Sequence, residues 1–133
     1  MSADSNLVFD QPDALTRLAA LGEAGCDGLE FGVIGFDAGT VVRLYNATES
    51  RAAGLAPGSV LGQPLFTVVA PCMNNFMVAQ RFVDAAADGT ALDAIINYVL
   101  TLRMRPVKVR LRLLASSASA GTALSYLLVE RRS

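Results

Sequence analysis

The chain has 133 residues, of which 53% are hydrophobic and 17% charged, and its formal net charge is −1. This is the length of one domain, and a charge so near zero excludes a global field that draws the protein to nucleic acid or to a membrane. Two cysteines give no disulfide framework, and the count of zero histidines excludes Ser-His-Asp and Cys-His catalytic groups and histidine metal sites.

The first part of the chain predicts a helix followed by a strand hairpin. Asp10 and Asp13 can cap a short amphipathic helix, which the glycine-rich stretch 25–28 ends. Residues 29–36 are typical of a buried strand, and residues 41–45 predict its partner across a tight turn.

The middle of the chain predicts helical structure. Asn46 is a suitable N-cap for a short helix that Gly54 stops, and residues 59–62 favour a further helical turn. Pro71 breaks the chain just before a longer helix, which we expect over residues 74–87. Its inward positions are predicted to be Phe76, Ala79, Phe82, Val83 and Ala86.

Three strands complete the chain, at about 94–104, 107–114 and 123–131. Short connections between them favour antiparallel pairing. We therefore predict one α+β domain with a five-stranded antiparallel sheet, helices on one face and a helical N-terminal cap. The predicted division is an N-terminal cap over residues 1–28 and a core over residues 29–133.

A row of cations lies in the predicted late strands. Their alternating spacing indicates the solvated face of a hairpin rather than a phosphate site. The row consists of Arg103, Arg105, Lys108, Arg110 and Arg112.

Tyr45, Glu49 and Cys72 are the candidates for chemistry. Tyr45 and Glu49 are four residues apart, so their side chains can meet across one helical turn. Cys72 stands where apolar chain gives way to the predicted helix, and a helix N-terminus favours a thiolate. Each has a simpler interpretation, since Cys72 and Tyr45 can be packing residues and Glu49 a solvated one. Cys26 lies in a polar turn and is expected to be incidental.

The chain resembles the photoactive yellow protein family of PAS-fold photoreceptors from its early helix to its last strand. The most specific match is Val69-Ala70-Pro71-Cys72 together with Tyr45-Asn46-Ala47 and Glu49 upstream. The remaining matches are Asp27-Gly28-Leu29, Phe31-Gly32, Gly62, Phe66, Tyr98, Met104, Pro106 and Lys108-Val109.

The resemblance implies p-coumaric acid bound as a thioester to Cys72. It also implies that Tyr45 and Glu49, the latter as a protonated acid, donate hydrogen bonds to the phenolate of this chromophore. The pocket walls implied by the match are Phe66, Val69, Tyr98, Leu100 and Met104. Two positions depart from the family, because Ala53 and Leu55 stand where it usually has a threonine and an arginine; Leu100 also stands at an aromatic position.

The resemblance implies a blue-light receptor and not an enzyme. Light would isomerise the chromophore and move a proton, so that the N-terminal cap loosens and signals to a downstream protein. Two alternatives stay open: a chromophore-free PAS module for ligand sensing or protein interaction, and a thiol enzyme with an acyl group on Cys72. We expect no nucleic-acid or membrane partner, and a homodimer is an open alternative. Residues 1–10 show no secretory signal, so a cytoplasmic location is expected.

Overall fold

The computed structural model describes residues 7–102, 105–116 and 124–131. Five antiparallel strands form one sheet in the order β2-β1-β5-β4-β3, with helices packed on it, so the predicted fold class is confirmed. The helices are α1 (Ala14–Cys26), α2 (Ala47–Ala53), α3 (Pro57–Val60) and α4 (Ala79–Asp88). A π-helical turn (Leu65–Val69) and a 3-10 turn (Pro71–Met73) lie between α3 and α4. The strands are β1 (Gly32–Phe36), β2 (Val42–Tyr45), β3 (Leu92–Leu102), β4 (Arg105–Ala115) and β5 (Ser125–Arg131).

The strand order brings the last strand next to the first strand within the sheet. The last strand, β5, lies between β1 and β4, and Gly32 is paired with Val129. Side chains alternate between the faces of a strand, so Arg131 points to the same face as Val129. The start of β1 and the end of β5 therefore meet on that face.

The sheet has an apolar cluster on each face. The helix-side cluster packs the sheet against α3, α4 and the two turns, and its largest buried members include Ile34, Phe36, Tyr45, Leu65, Phe66, Phe82, Leu100, Leu111, Leu113 and Leu127. The cap-side cluster packs the opposite face against the described part of the N-terminal cap, through Leu7, Phe9, Ala14, Leu18, Cys26, Leu29, Phe31, Val33, Leu44, Leu114, Tyr126 and Leu128. Burial of apolar surface on both faces is the main stabilising contribution to this fold.

The caps of α2 follow the prediction closely. The side chain of Asn46 accepts a hydrogen bond from the backbone N–H of Glu49, and Gly54 ends the helix in the left-handed conformation at φ 74°. The cap of α1 differs, because Asp13 occupies the N-cap position but its carboxylate binds Arg17 instead of a backbone N–H. A kink at Gly22, with φ 69°, divides this helix.

The helix expected over 74–87 begins later, at Ala79. The Oδ1 of Asn75 accepts hydrogen bonds from the N–H groups of Met77 and Val78, and this local turn replaces the first helical turn. The expected inward positions are consequently wrong in part. Ala79 and Phe82 are buried and Ala85 joins them, whereas Phe76, Val83 and Ala86 are exposed.

The cation row was expected to be solvated along its whole length, and this is wrong for Arg112. The side chain of Arg112 is only 4% exposed. It binds the carboxylate of Asp93 through two hydrogen bonds of 2.9 Å each, and it donates to the backbone carbonyls of Phe9 and Gln11. The N-terminal cap covers this part of the sheet and supplies acceptors that satisfy the buried guanidinium. Arg103 lies outside the described residues.

Strand bounds also differ from the prediction. β1 begins at Gly32 rather than at residue 29, because Leu29 and Phe31 are buried against α1 before the sheet starts. β3 begins at Leu92, and residues 103–104 lie outside the described part of the chain. In the described ranges, no helix combines the length and the apolar character that a membrane span requires.

Candidate functional site

Asn46 fixes the segment that holds Tyr45 and Glu49. Its Oδ1 accepts hydrogen bonds from the N–H groups of Val33 and Glu49, at 2.9 and 3.0 Å. Its Nδ2 donates to the carbonyls of Cys26 and Phe31, at 2.9 and 3.0 Å. The amide thus uses two donors and two lone pairs, which is its full capacity. One buried side chain therefore joins α2, β1 and the end of the N-terminal cap.

Tyr45 is a buried phenol at the end of β2, with 2% of its surface exposed. Burial raises its pKa well above the ordinary value, and the negative charge of Glu49 raises it further. The positive charge of Arg131 acts in the opposite direction but does not cancel these effects. Tyr45 therefore keeps its proton at neutral pH and remains a hydrogen-bond donor.

Glu49 forms a bidentate ion pair with Arg131. Nη1 of Arg131 lies 2.7 Å from Oε1 of Glu49, and Nη2 lies 3.0 Å from Oε2. The side chain of Glu49 is 4% exposed and that of Arg131 is 22% exposed, so the pair is largely withdrawn from water. Burial lowers the pKa of Arg131, but its hydrogen bonds with Glu49 and the negative charge of Glu49 outweigh this, and the pKa is raised. In this structure Glu49 is an acceptor of hydrogen bonds.

Gly32 provides the space that the Glu49 side chain fills. A Cβ atom at position 32 would overlap Oε1 of Glu49 and lie 3.0 Å from its Cδ. Both residues belong to the region where β1, β5 and α2 meet. A residue without a side chain is therefore required opposite the carboxylate.

Cys72 lies in the 3-10 turn and not at the start of a long helix. We expected the dipole of a helix that begins at Cys72 to favour the thiolate. That expectation is wrong, because α4 begins only at Ala79. The thiol is free and half-buried. The Cys72 carbonyl accepts hydrogen bonds from the hydroxyl of Tyr98 at 2.6 Å and from Nδ2 of Asn75 at 3.2 Å. Asn75 Nδ2 also donates to the Tyr98 hydroxyl at 2.6 Å, which makes a closed triangle around this turn.

Most of the expected wall residues belong to or pack against one cluster. Tyr45, Phe66 and Leu100 are buried members of the helix-side cluster. Four further expected residues are partly buried and pack against it, namely Leu55, Val69, Cys72 and Tyr98. Ala53 is buried on α2, and Met104 lies outside the described residues. Seven of the expected site residues, Cys72 included, therefore belong to this cluster or pack against it.

An open groove lies along the edge strand β3, and it is separate from these residues except at Tyr98. Its volume is about 630 Å³. Its lining consists of Met77, Asn97, Tyr98, Val99, Lys108 and Val109. Across the described ranges, no group of three or more His, Cys, Asp or Glu side chains could hold a metal ion.

Arg131 is one of two residues at the site that were not predicted from the sequence. Alternation along β5 places it on the same face as Leu127 and Val129, and this much was available from the sequence. Its contact with Glu49 depends on the pairing of β5 with β1, which joins distant parts of the chain. Asn75 was missed for a similar reason, because its partner Tyr98 lies on a separate element.

Comparison with known proteins gives matches over most of the chain. No protein-family model matches it. Proteins named photoactive yellow protein from Rhodothalassium salexigens and Halochromatium salexigens are each 34% identical over 105 residues. Each of these alignments covers 79% of this chain and 83% of the relative.

Solved structures agree with this result. The photoactive yellow protein domain of the sensor histidine kinase Ppr from Rhodospirillum centenum is 33% identical and has a TM-score of 0.78. That match covers 88% of this chain and 99% of the domain. The PAS domain of BvgS from Bordetella pertussis has a TM-score of 0.60 at 16% identity, covering 84% of this chain and 82% of that domain. At that identity the likeness concerns the fold alone.

Proposed function

Because this chain belongs to the photoactive yellow protein family, we propose that it is a light sensor with p-coumaric acid bound as a thioester to Cys72. The supporting observation is the position of Cys72 at the border of the apolar cluster that contains Tyr45. A free, half-buried thiol can be acylated, and an apolar cluster with a phenol donor suits an aromatic ligand with one polar end.

The residues present fit this group. Tyr45 stays protonated and can donate a hydrogen bond to a buried phenolate, which is costly unless donors meet it. The triangle of Tyr98, Asn75 and the Cys72 carbonyl fixes the turn that presents the thiol. The bound group would supply a conjugated double bond that isomerises in light. Ala53 and Leu55 contribute neither a hydroxyl nor a charge, so the polar contacts come from other residues.

We propose that isomerisation of the bound chromophore is transmitted to the N-terminal cap through Asn46. This side chain binds the N–H of Glu49 on one side and the carbonyl of Cys26, in α1, on the other. A movement of Glu49 therefore shifts Asn46 and changes the hydrogen bond that Asn46 donates to the end of α1. The cap then exposes part of the cap-side cluster to a signalling protein. The related domain from Rhodospirillum centenum belongs to a sensor histidine kinase, which agrees with a role in signalling.

The experiment is to mix the purified protein with activated p-coumaric acid and record the intact mass and the visible spectrum. We expect one p-coumaroyl group per chain and a yellow colour in the wild type and in Cys26→Ser. Cys72→Ser should show neither change. Loading that persists in Cys72→Ser contradicts the proposed attachment site. A wild type that stays colourless and unmodified favours a chromophore-free PAS module, and repeated hydrolysis of the thioester that depends on Cys72 favours a thiol enzyme.

A further inference from the structure

The end of β5 brings a cation, Arg131, against Glu49. Arg131 and Glu49 are held together by two hydrogen bonds in a region that is mostly withdrawn from water. A buried carboxylate is costly without a partner, and a bidentate guanidinium is the strongest partner that proteins use. This pair therefore fixes one positive and one negative charge beside Tyr45.

The titratable groups at this site belong to three elements. Glu49 belongs to α2, Tyr45 to β2 and Arg131 to β5, while β1 contributes the uncharged Gly32. Within the described ranges, these are the titratable groups that influence Arg131 and Tyr45. Arg131 can therefore balance the charge of one anion at this site, and a second buried anion would have no counter-ion there.

We propose that Arg131 is a binding residue for a ligand that enters beside Tyr45 and Glu49, and the counter-ion of the single anion at this site. The inference rests on the proposed function, because the ligand it concerns is a phenol with an acidic proton. Before the ligand enters, the anion is the Glu49 carboxylate. When the phenol enters, its proton passes to Glu49, and the phenolate becomes the anion that Arg131 balances.

This exchange is balanced in atoms and charge. The O–H bond of the phenol breaks, an O–H bond forms on Glu49, and no proton is taken from or given to water. The net charge of the pocket is the same before and after. Glu49 changes from an acceptor in the ion pair to a donor toward the phenolate. Glu49 then has two states at this site. In one it is the carboxylate paired with Arg131, as in the present structure. In the other it is the hydrogen-bond donor that the family resemblance implies.

The simpler explanation is that the pair only holds the end of β5 against α2. That role predicts a loss of stability in Arg131 variants but no change in the proton of Glu49. Infrared spectroscopy distinguishes the two, because a protonated carboxyl group has its own band. Arg131→Gln removes the charge, Arg131→Lys keeps it, and Arg43→Gln removes an exposed cation that pairs with Asp37 on the surface.

The first arm uses protein without chromophore, at neutral pH. We expect no protonated-carboxyl band from Glu49 in the wild type, Arg43→Gln or Arg131→Lys. Arg131→Gln should show such a band, and it should vanish in the Arg131→Gln/Glu49→Gln double variant. A band already present in the wild type, or absent from folded Arg131→Gln, overturns the counter-ion role whatever the protein binds.

The second arm uses protein loaded with p-coumaric acid. We expect the band of protonated Glu49 to appear on loading. The pH at which half of the yellow colour is lost should rise by about 1 to 3 units in Arg131→Gln, since a nearby opposite charge stabilises a phenolate by that much. Arg43→Gln should match the wild type. Equal midpoints in Arg131→Gln and Arg43→Gln overturn the inference, whereas failure of every variant to load contradicts the proposed function and leaves the first arm to decide on Arg131.

Discussion

The hydroxyl of Tyr98 donates a hydrogen bond of 2.6 Å to the backbone carbonyl of Cys72. The bond joins the edge strand β3 to the 3-10 turn that presents the thiol. Asn75 reinforces it by donating to the same hydroxyl. Tyr98 was expected as an apolar wall, and its hydroxyl also binds the turn that carries Cys72.

Replacing Tyr98 with phenylalanine should loosen this turn. The ring keeps its packing, but the Cys72 carbonyl loses its shortest hydrogen bond, which costs about 1 kcal/mol of stability. We expect slower attachment of activated p-coumaric acid, measured by intact mass against time. Tyr126→Phe, on the opposite face of the sheet, is the matched control and should load at the wild-type rate. Equal loading rates in the two variants would exclude the positioning role.

Gly32→Ala should disturb Glu49 directly. The added methyl group overlaps the Glu49 carboxylate, and overpacking of this kind costs about 1 to 3 kcal/mol of unfolding free energy. Gly58→Ala is the control, because a Cβ there meets nothing within 4 Å. Its stability should stay the same or rise by up to about 1 kcal/mol. Urea unfolding of both variants is the measurement, and an unaffected Gly32→Ala would show that Glu49 is not held where the structure places it.

Arg112→Met should loosen the N-terminal cap. The change removes the donors to the carbonyls of Phe9 and Gln11 and to Asp93, with a cost of about 1 to 3 kcal/mol. Hydrogen exchange of the N-terminal cap should accelerate more than that of β5. Arg43→Met removes an exposed pair and should cost less than about 1 kcal/mol. If exchange of the cap is equally slow in both variants, Arg112 does not hold it.

The stability of the protein should fall at alkaline pH, partly because of Cys26. Burial raises the pKa of its thiol from 9.0 to about 11, and the charge of Asp27 adds to this. Above pH 9 the unfolded chain loses the thiol proton while the folded chain keeps it, so stability falls as the pH rises toward 11. The loss attributable to this thiol is about 3 kcal/mol. Buried Tyr45 and Tyr126, whose pKa values are also raised, act in the same direction.

Urea unfolding between pH 8 and pH 11 measures this effect. The decline should be smaller in Cys26→Ala than in the wild type. An identical decline in Cys26→Ala would show that the thiol of Cys26 does not contribute.

Features fixed by neighbouring residues could be predicted from the sequence. Asn46 and Gly54 define α2 through cap interactions within a few positions, and both functions were expected. The start of α4 was not, because the side chain of Asn75 competes with the helix for backbone N–H groups. Helix propensity and hydrophobic periodicity favour a helix there, and neither takes a competing side-chain hydrogen bond into account.

Contacts between distant parts of the chain were harder to predict. Arg112 looked solvated because its burial depends on the N-terminal cap covering the sheet. Arg131 meets Glu49 only because β5 pairs with β1. The roles of Cys72, Tyr45 and Glu49 toward a chromophore, the boundary at residue 28 and the homodimer stay predictions.

The most direct test of the proposed light sensing is the visible spectrum of p-coumaroyl-loaded protein before, during and after blue illumination. We expect a yellow absorption that is lost in light and returns in the dark. Cys72→Ser, treated in the same way, should show no yellow absorption at any stage. A loaded wild type whose spectrum does not respond to light, or a Cys72→Ser variant that is yellow and photoactive, would contradict the claim that Cys72 holds the chromophore of a light sensor.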